Sequence, residues 1–149
     1  MFSRSAEYAI RAMTFLALQP AGKLTGAREI ALAENIPMQF LWKILQNLAR
    51  RKLVRSFKGV RGGYELARPG DRISVDDVVR ATDESTMAQG CVLGLASCSE
   101  EKPCPLHHTW KGIREQLTHM LEQTTIADLA RVAAQTDRLR QTGDNSSQY

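Results

Sequence analysis

Between Met38 and Arg68 the chain reads MQFLWKILQNLARRKLVRSFKGVRGGYELAR, a helical pattern that passes without a break into a strand pattern. Phe40, Leu41, Ile44, Leu45 and Leu48 fall on one stripe at helical spacing. Gln39, Trp42, Lys43, Gln46 and Arg50 face the other way. Pro37 suits the first turn of this helix, where its missing N–H costs nothing. Upstream, AREIALAEN reads as a shorter helix, capped by Thr25 and ending near Asn35. Downstream, Leu53–Phe57 and Tyr64–Ala67 read as short strands around a Lys-Gly-Val-Arg-Gly-Gly turn. The glycines of that turn permit positive φ and close backbone approach. Two short helices with a tight connection, followed at once by a basic hairpin, predict a winged helix-turn-helix.

Charge sharpens this reading. From Ile36 to Arg68 there are eight basic residues (Lys43, Arg50, Arg51, Lys52, Arg55, Lys58, Arg61 and Arg68) against one acid, Glu65. The segment is +7 within a chain of +4, so the remainder is −3. A solvated charge run would explain the composition alone, but the position on a helix and hairpin points to a polyanion-binding face. Gln39 and Lys43 can reach base edges in a major groove, while Arg50, Lys58 and Arg61 can neutralise phosphate. Trp42, an indole on the polar face, either packs on a neighbouring element or touches nucleic acid or a partner.

The rest of the chain frames that segment. The start, MFSRSAEYAIRAMTFLALQ, reads as an amphipathic helix, because Glu7 and Arg11 interrupt what could pass for a signal peptide. Glu7 and Arg11 can also form an i,i+4 surface pair. No apolar run approaches the roughly 18 residues of a membrane span, so no membrane association and a cytoplasmic location are expected. Ser74 and Asp77 mark the start of a short helix, VDDVVRAT. Further on, HTWKGIREQLTHMLEQ places Trp110, Ile113, Leu117, Met120 and Thr124 on a narrow seam, suited to packing against a twin helix or against its own domain. Thr125 with Asp128 signals a break and a separate last helix. The expected fold class is mainly α: a winged helix-turn-helix with a small β-hairpin wing and a long C-terminal dimerisation helix. The expected division is residues 1–84 as the winged unit, 85–108 as a cysteine-rich loop, 109–136 as the dimerisation region and 137–149 as a disordered tail.

All three cysteines stand in CVLGLASCSEEKPCPLHHTW, spaced Cys91-x6-Cys98-x5-Cys104-x2-His107. An odd count in a chain expected to be cytoplasmic favours metal or redox chemistry over structural disulfides. Structural zinc sites usually present C-x2-4-C knuckles, which are absent here. Thiolates spread over a Gly- and Pro-containing loop suit an iron–sulfur cluster, which takes four ligands with imidazole replacing thiolate in some centres. From spacing alone a cluster, a zinc site and a thiol redox switch all stay open. His108 is expected to be solvated, and His119 to lie on the polar side of the long helix. No Ser/His/Asp or paired-carboxylate constellation is recognisable, so no enzyme activity is expected.

The order of these parts resembles the iron–sulfur transcription regulators of the IscR and NsrR kind. SAEYAIRAM, IALAENIPMQFLWKILQNL, VRSFKGVRGGYELAR and the cysteine loop carry the resemblance, over roughly residues 1 to 135. It implies a homodimer on a palindromic operator in double-stranded DNA, with DNA affinity controlled by a cluster sensing redox, iron or nitric oxide. Cys91, Cys98 and Cys104 match the three cluster cysteines. His107 falls where IscR-type members have a fourth ligand, and Glu7 falls close to the carboxylate that NsrR-type members lend from the partner subunit. His107 as the fourth ligand goes with a [2Fe–2S] cluster within one chain, and Glu7 with a [4Fe–4S] cluster between subunits. His107 and [2Fe–2S] are the preferred expectation, because the imidazole lies three residues from a thiolate. The first interval has six residues where the closest members have five. The recognition helix carries Gln39, Trp42 and Lys43 in place of small hydroxyls and an acid, which implies a different operator. The alternative expectation is a thiol-redox or zinc-stabilised DNA-binding regulator without a cluster.

Overall fold

A buried alanine ladder organises the molecule. In a computed structural model that describes residues 2–82, 90–95 and 99–135, helix α1 (Arg4–Leu18) carries Ala6, Ala9 and Ala12 with no exposed surface. Small side chains on one face let other helices approach closely. The Ser3 hydroxyl starts α1 by accepting the Ala6 N–H at 3.0 Å. Around it stand α2 (Ala27–Glu34), α3 (Met38–Arg50) and α4 (Val75–Thr82), with α6 (Ile126–Gln135) folded back onto α1. Strands β1 (Val54–Phe57) and β2 (Gly63–Leu66) form the hairpin, a 3-10 turn spans Gly70–Arg72, and α5 (His107–Gln123) follows the cysteine loop. The fold is mainly helical with one antiparallel hairpin, as the pattern of the sequence predicts.

Met13, Ile30, Leu41, Leu45, Leu48, Ile73, Val78 and Ile126 fill the centre. Each large apolar side chain buried there contributes about 1.5–3 kcal/mol. Of the predicted α3 stripe, Leu41, Ile44, Leu45 and Leu48 are buried, but Phe40 is not. Phe40 lies at the edge of the stripe and meets Tyr8 of α1 at 6.3 Å between ring centroids. Pro37 is the cap rather than the first residue of α3, a shift of one position. Asn35 ends α2 in the left-handed conformation at φ 49°, and the Ile36 N–H returns to the Ala31 carbonyl at 3.0 Å.

Thr25 does not cap α2. Gly26 is the N-cap of α2, with no side-chain cap, and Thr25 pairs through its backbone with Tyr64, at 2.9 Å and 2.8 Å. Two backbone hydrogen bonds to β2 outweigh one side-chain cap. This pairing dictates the glycine beside it: a Cβ on Gly63 would stand 2.9 Å from the Thr25 carbonyl carbon and oxygen. Gly63→Ala should therefore destabilise the fold by more than about 1 kcal/mol. A lowered urea midpoint is expected, and an unchanged one would mean that the hairpin is not seated on Thr25.

Two reciprocal caps build the other end. The Ser74 N–H donates to Asp77 Oδ2 and the Asp77 N–H to Ser74 Oγ, both at 3.0 Å. Thr125 and Asp128 repeat the device at 2.9 Å and 3.1 Å, confirming the predicted break before α6. The Thr125 N–H, then Arg131, hold the Asp128 carboxyl below its ordinary range. That cap is present at neutral pH and is lost as pH falls through the depressed value. The Val75 N–H donates to the Thr124 carbonyl at 2.8 Å, and the Ile126 N–H to the Ile73 carbonyl at 2.9 Å, tying α6 to the start of α4.

The expected Glu7–Arg11 pair is replaced by a longer-range one. Arg11 Nε lies 3.5 Å from Glu34 Oε2, and its Nη2 donates to the Glu34 carbonyl at the end of α2. A cation at a helix C-terminus also meets the negative end of the helix dipole. Glu7 is left exposed on α1.

Candidate functional site

The buried stripe of α3 turns its opposite face outward. Gln39, Trp42, Lys43, Gln46 and Arg50 are exposed, Trp42 at 49%. Trp42 is therefore not packed into this chain's core. Beyond α3, β1 and β2 pair from Val54↔Leu66 to Phe57↔Gly63, which projects Lys58 and Arg61 at the exposed tip. Two of the eight bases are neutralised locally, Arg55 by Glu65 at 3.0 Å and Arg68 by Asp77 at 3.4 Å. Among the described residues Lys43, Arg50, Lys58 and Arg61 form no ion pair, so their charge is available to a polyanion.

Arg80, outside the basic segment, joins Arg51 of that segment at a further cationic locus. With Asn47, Arg50, Ala81 and Thr82 they line a cleft of about 570 Å³ between the C-terminal ends of α3 and α4. Arg80 is held by Asp76 one turn back, at 2.6 Å. Only the packing of α3 on α4 brings these arginines together, and no local pattern announces it.

The cysteine loop contributes a second locus. Cys104 is 8% exposed and His107, the first residue of α5, is 3% exposed. The His107 N–H donates to the Cys104 carbonyl at 3.0 Å, so one turn holds both donors. Glu100 Oε1 lies 3.6 Å from His107 Nε2 and accepts from Lys111 Nζ. Lys111 holds the Glu100 carboxyl below its ordinary range, and Glu100 in turn raises Lys111. Cys91 is half-buried in a turn closed by the Gly94 N–H at 2.9 Å from its carbonyl. Cys98 lies outside the described residues, as does the predicted tail. His108 and His119 are exposed, as expected.

The described residues thus bring Cys104 and His107 together but do not gather Cys91 or Glu7 with them. Among the described residues no group of three or more His, Cys, Asp or Glu is placed to hold a metal ion. A cysteine sulfur and an imidazole buried in one turn fit one side of a four-ligand iron–sulfur centre.

The predicted α5 seam divides. Leu117 packs with buried Leu121 against Val75, Val79 and Ala6 of its own chain. Ile113 and Met120 stand 51% and 47% exposed on a different line. Trp110 is half-buried, and its Nε1 is buried without a hydrogen-bond partner among the described residues.

An exposed cationic helix beside a seated basic hairpin defines a winged-helix DNA-binding protein. The chain belongs to the Rrf2 family, whose model, described as an iron-dependent transcriptional regulator, matches residues 2–132. It is 43% identical over 129 residues to Rv1287 of Mycobacterium tuberculosis, named as an HTH-type transcriptional regulator, covering 86% of this chain and 80% of that one. It is 32% identical over 122 residues to the HTH-type transcriptional regulator IscR of Sodalis glossinidius, covering 82% and 73%. Its fold is similar to that of CymR of Bacillus subtilis, described as the global cysteine regulator, with a TM-score of 0.74 at 25% identity over 89% of this chain and 97% of that one. These relatives are transcriptional regulators rather than enzymes. No helix among the described residues is long and apolar enough to cross a membrane.

On this face, replacing Lys58 or Arg61 with alanine should weaken binding on most DNA sequences and reduce the salt slope by about 1. Gln39→Ala or Lys43→Ala should change sequence preference instead. Titration of labelled duplexes at several salt concentrations separates the two, and an unchanged slope for Arg61→Ala would rule out the wing.

Proposed function

We propose that the protein is a homodimeric transcription regulator, working in the cytoplasm, whose affinity for a palindromic operator is set by an iron–sulfur cluster. The observation that carries this is the buried Cys104–His107 turn at the start of α5, beside a winged helix with a free cationic face. In this reading residues 1–84 bind DNA, 85–108 hold the cluster and 109–136 form the dimer. Cys91, Cys98, Cys104 and His107 are the ligands, with [2Fe–2S] preferred. Glu7 from the partner subunit, with [4Fe–4S], is the competing arrangement. When bound, the cluster supplies a centre that responds to redox state, iron supply or nitric oxide.

The chain's own residues supply the rest. Gln39, Trp42 and Lys43 meet bases in the major groove, and Arg50, Lys58 and Arg61 meet the backbone or the minor groove. Two such faces in a dimer read half-sites roughly 10 base pairs apart, centre to centre. Helix α5, which begins at His107, packs on α4, and α4 packs on α3, so a change at the foot of α5 has a short path to the recognition helix.

The test is operator affinity before and after iron is removed by a chelator under anaerobic conditions. A change of at least about fivefold is expected, the lower end of typical coupling between two sites. Equal affinities would overturn cluster control. A second reading, a thiol switch, is favoured by the similarity to CymR and by the half-buried Cys91 thiol. It predicts that an oxidant changes affinity in protein that has never held iron.

A further inference from the structure

Val60 is the one apolar side chain in the hairpin tip, and it is wholly exposed, between the exposed cations Lys58 and Arg61. A lone exposed valine on a loose loop would mean little, but this tip is not loose. The Gly62 N–H closes it on the Gly59 carbonyl at 3.0 Å, with Gly59 at φ +103°. At Gly62 a Cβ would stand 2.0 Å from the Phe57 carbonyl oxygen, so the backbone there turns back on the last rung of the hairpin. Below it, Gly63 is pressed on the Thr25 backbone. The tip is therefore a seated device that holds a branched apolar group outward with a positive charge on either side.

Resting on the DNA-binding reading, we infer that Val60 is a specificity-determining residue that enters the minor groove and selects A·T over G·C by shape. The groove is about 6 Å wide, with phosphates on both walls to receive Lys58 and Arg61. A side chain between them meets sugars and the groove floor. At A·T pairs that floor carries only acceptors, whereas guanine adds its N2 amino group, which occupies the space and holds water that valine cannot replace. Valine has no donor or acceptor, so it discriminates by exclusion. Apolar side chains do enter the minor groove in other DNA-binding folds, where they wedge between base steps.

The test uses the full-length protein and a duplex it recovers from a random pool. Hydroxyl-radical footprinting marks the A·T pairs it shields in the minor groove, and these are replaced by G·C or by inosine·C, which lacks the N2 amino group. Wild type should bind the A·T and inosine·C duplexes alike and the G·C duplex about tenfold more weakly, the order expected for one contact of this kind. Val60→Ala should weaken A·T binding, shrink the discrimination to about twofold, and leave the salt slope unchanged because no charge is altered. Lys58→Ala should lower affinity and slope on all three duplexes and keep the discrimination. Equal wild-type binding to G·C and inosine·C, or full discrimination by Val60→Ala, overturns the role of Val60 while the DNA reading stands. If neither Lys58→Ala nor Val60→Ala changes binding, or if no duplex is recovered, the wing reading itself fails. Val60 supports nothing inside the fold, so an unchanged thermal midpoint for Val60→Ala completes the comparison.

Discussion

The double variant Ile113→Asp, Met120→Asp is expected to be a monomer that binds its operator more than about 100-fold more weakly than wild type. Ile113 and Met120 stand seven residues apart, two helical turns, on one exposed line of α5. Leu117 and Leu121, by contrast, are committed to the chain's own core. If the exposed line meets its copy, two charges placed there would be desolvated without partners, at several kcal/mol each. Losing the dimer removes the second half-site contact, which otherwise acts at high effective concentration. Both side chains are already exposed in the single chain, so the fold should survive, with a helical signal unchanged. Sedimentation at micromolar concentration and duplex titration check the outcome. A wild-type monomer, or a dimeric double variant, would remove α5 from the interface.

If the Cys104–His107 turn holds an iron–sulfur cluster, Cys104→Ser should abolish it. Cys104 is buried at the foot of α5 and shares a turn with His107, so its thiolate cannot be supplied from elsewhere in the loop without unwinding that turn. Anaerobically purified Cys104→Ser is expected to be colourless, free of iron and sulfide, and locked in the DNA affinity of chelated wild type. Cys104 lies outside the main core cluster, so an unchanged urea midpoint in cluster-free protein is the expected control. His107→Ala should lose or alter the cluster while Glu7→Ala leaves it intact. The reverse result would transfer the fourth ligand to the partner's Glu7 and favour [4Fe–4S]. Ligation by imidazole also predicts loss of the cluster in acid, because a protonated imidazole is no ligand. Colour retained in Cys104→Ser would remove this turn from the site.

What was legible in the sequence was local. The caps at Ser74–Asp77 and Thr125–Asp128 each lie within four residues, and the glycine-rich hairpin carries its turn chemistry in its own letters. Where reading the chain in order misplaced a residue, a contact distant in sequence had won. Thr25 gave up its cap to pair with Tyr64, Arg11 bypassed Glu7 for Glu34, and Phe40 left the stripe for Tyr8. The return of α6 onto α1, and the arginine cleft between α3 and α4, depend on packing that no periodicity encodes. The same division holds at the site. Cys104 and His107 meet because only two residues separate them, whereas no local spacing relates them to Cys91 or Glu7.

Native mass spectrometry of the anaerobically purified wild-type protein decides whether this chain holds a cluster. The expected result is a dimer in which each chain carries the mass of two irons and two sulfides, with visible absorption to match. A dimer carrying zinc, or bare chains that still bind the operator and change affinity on thiol oxidation, would contradict it.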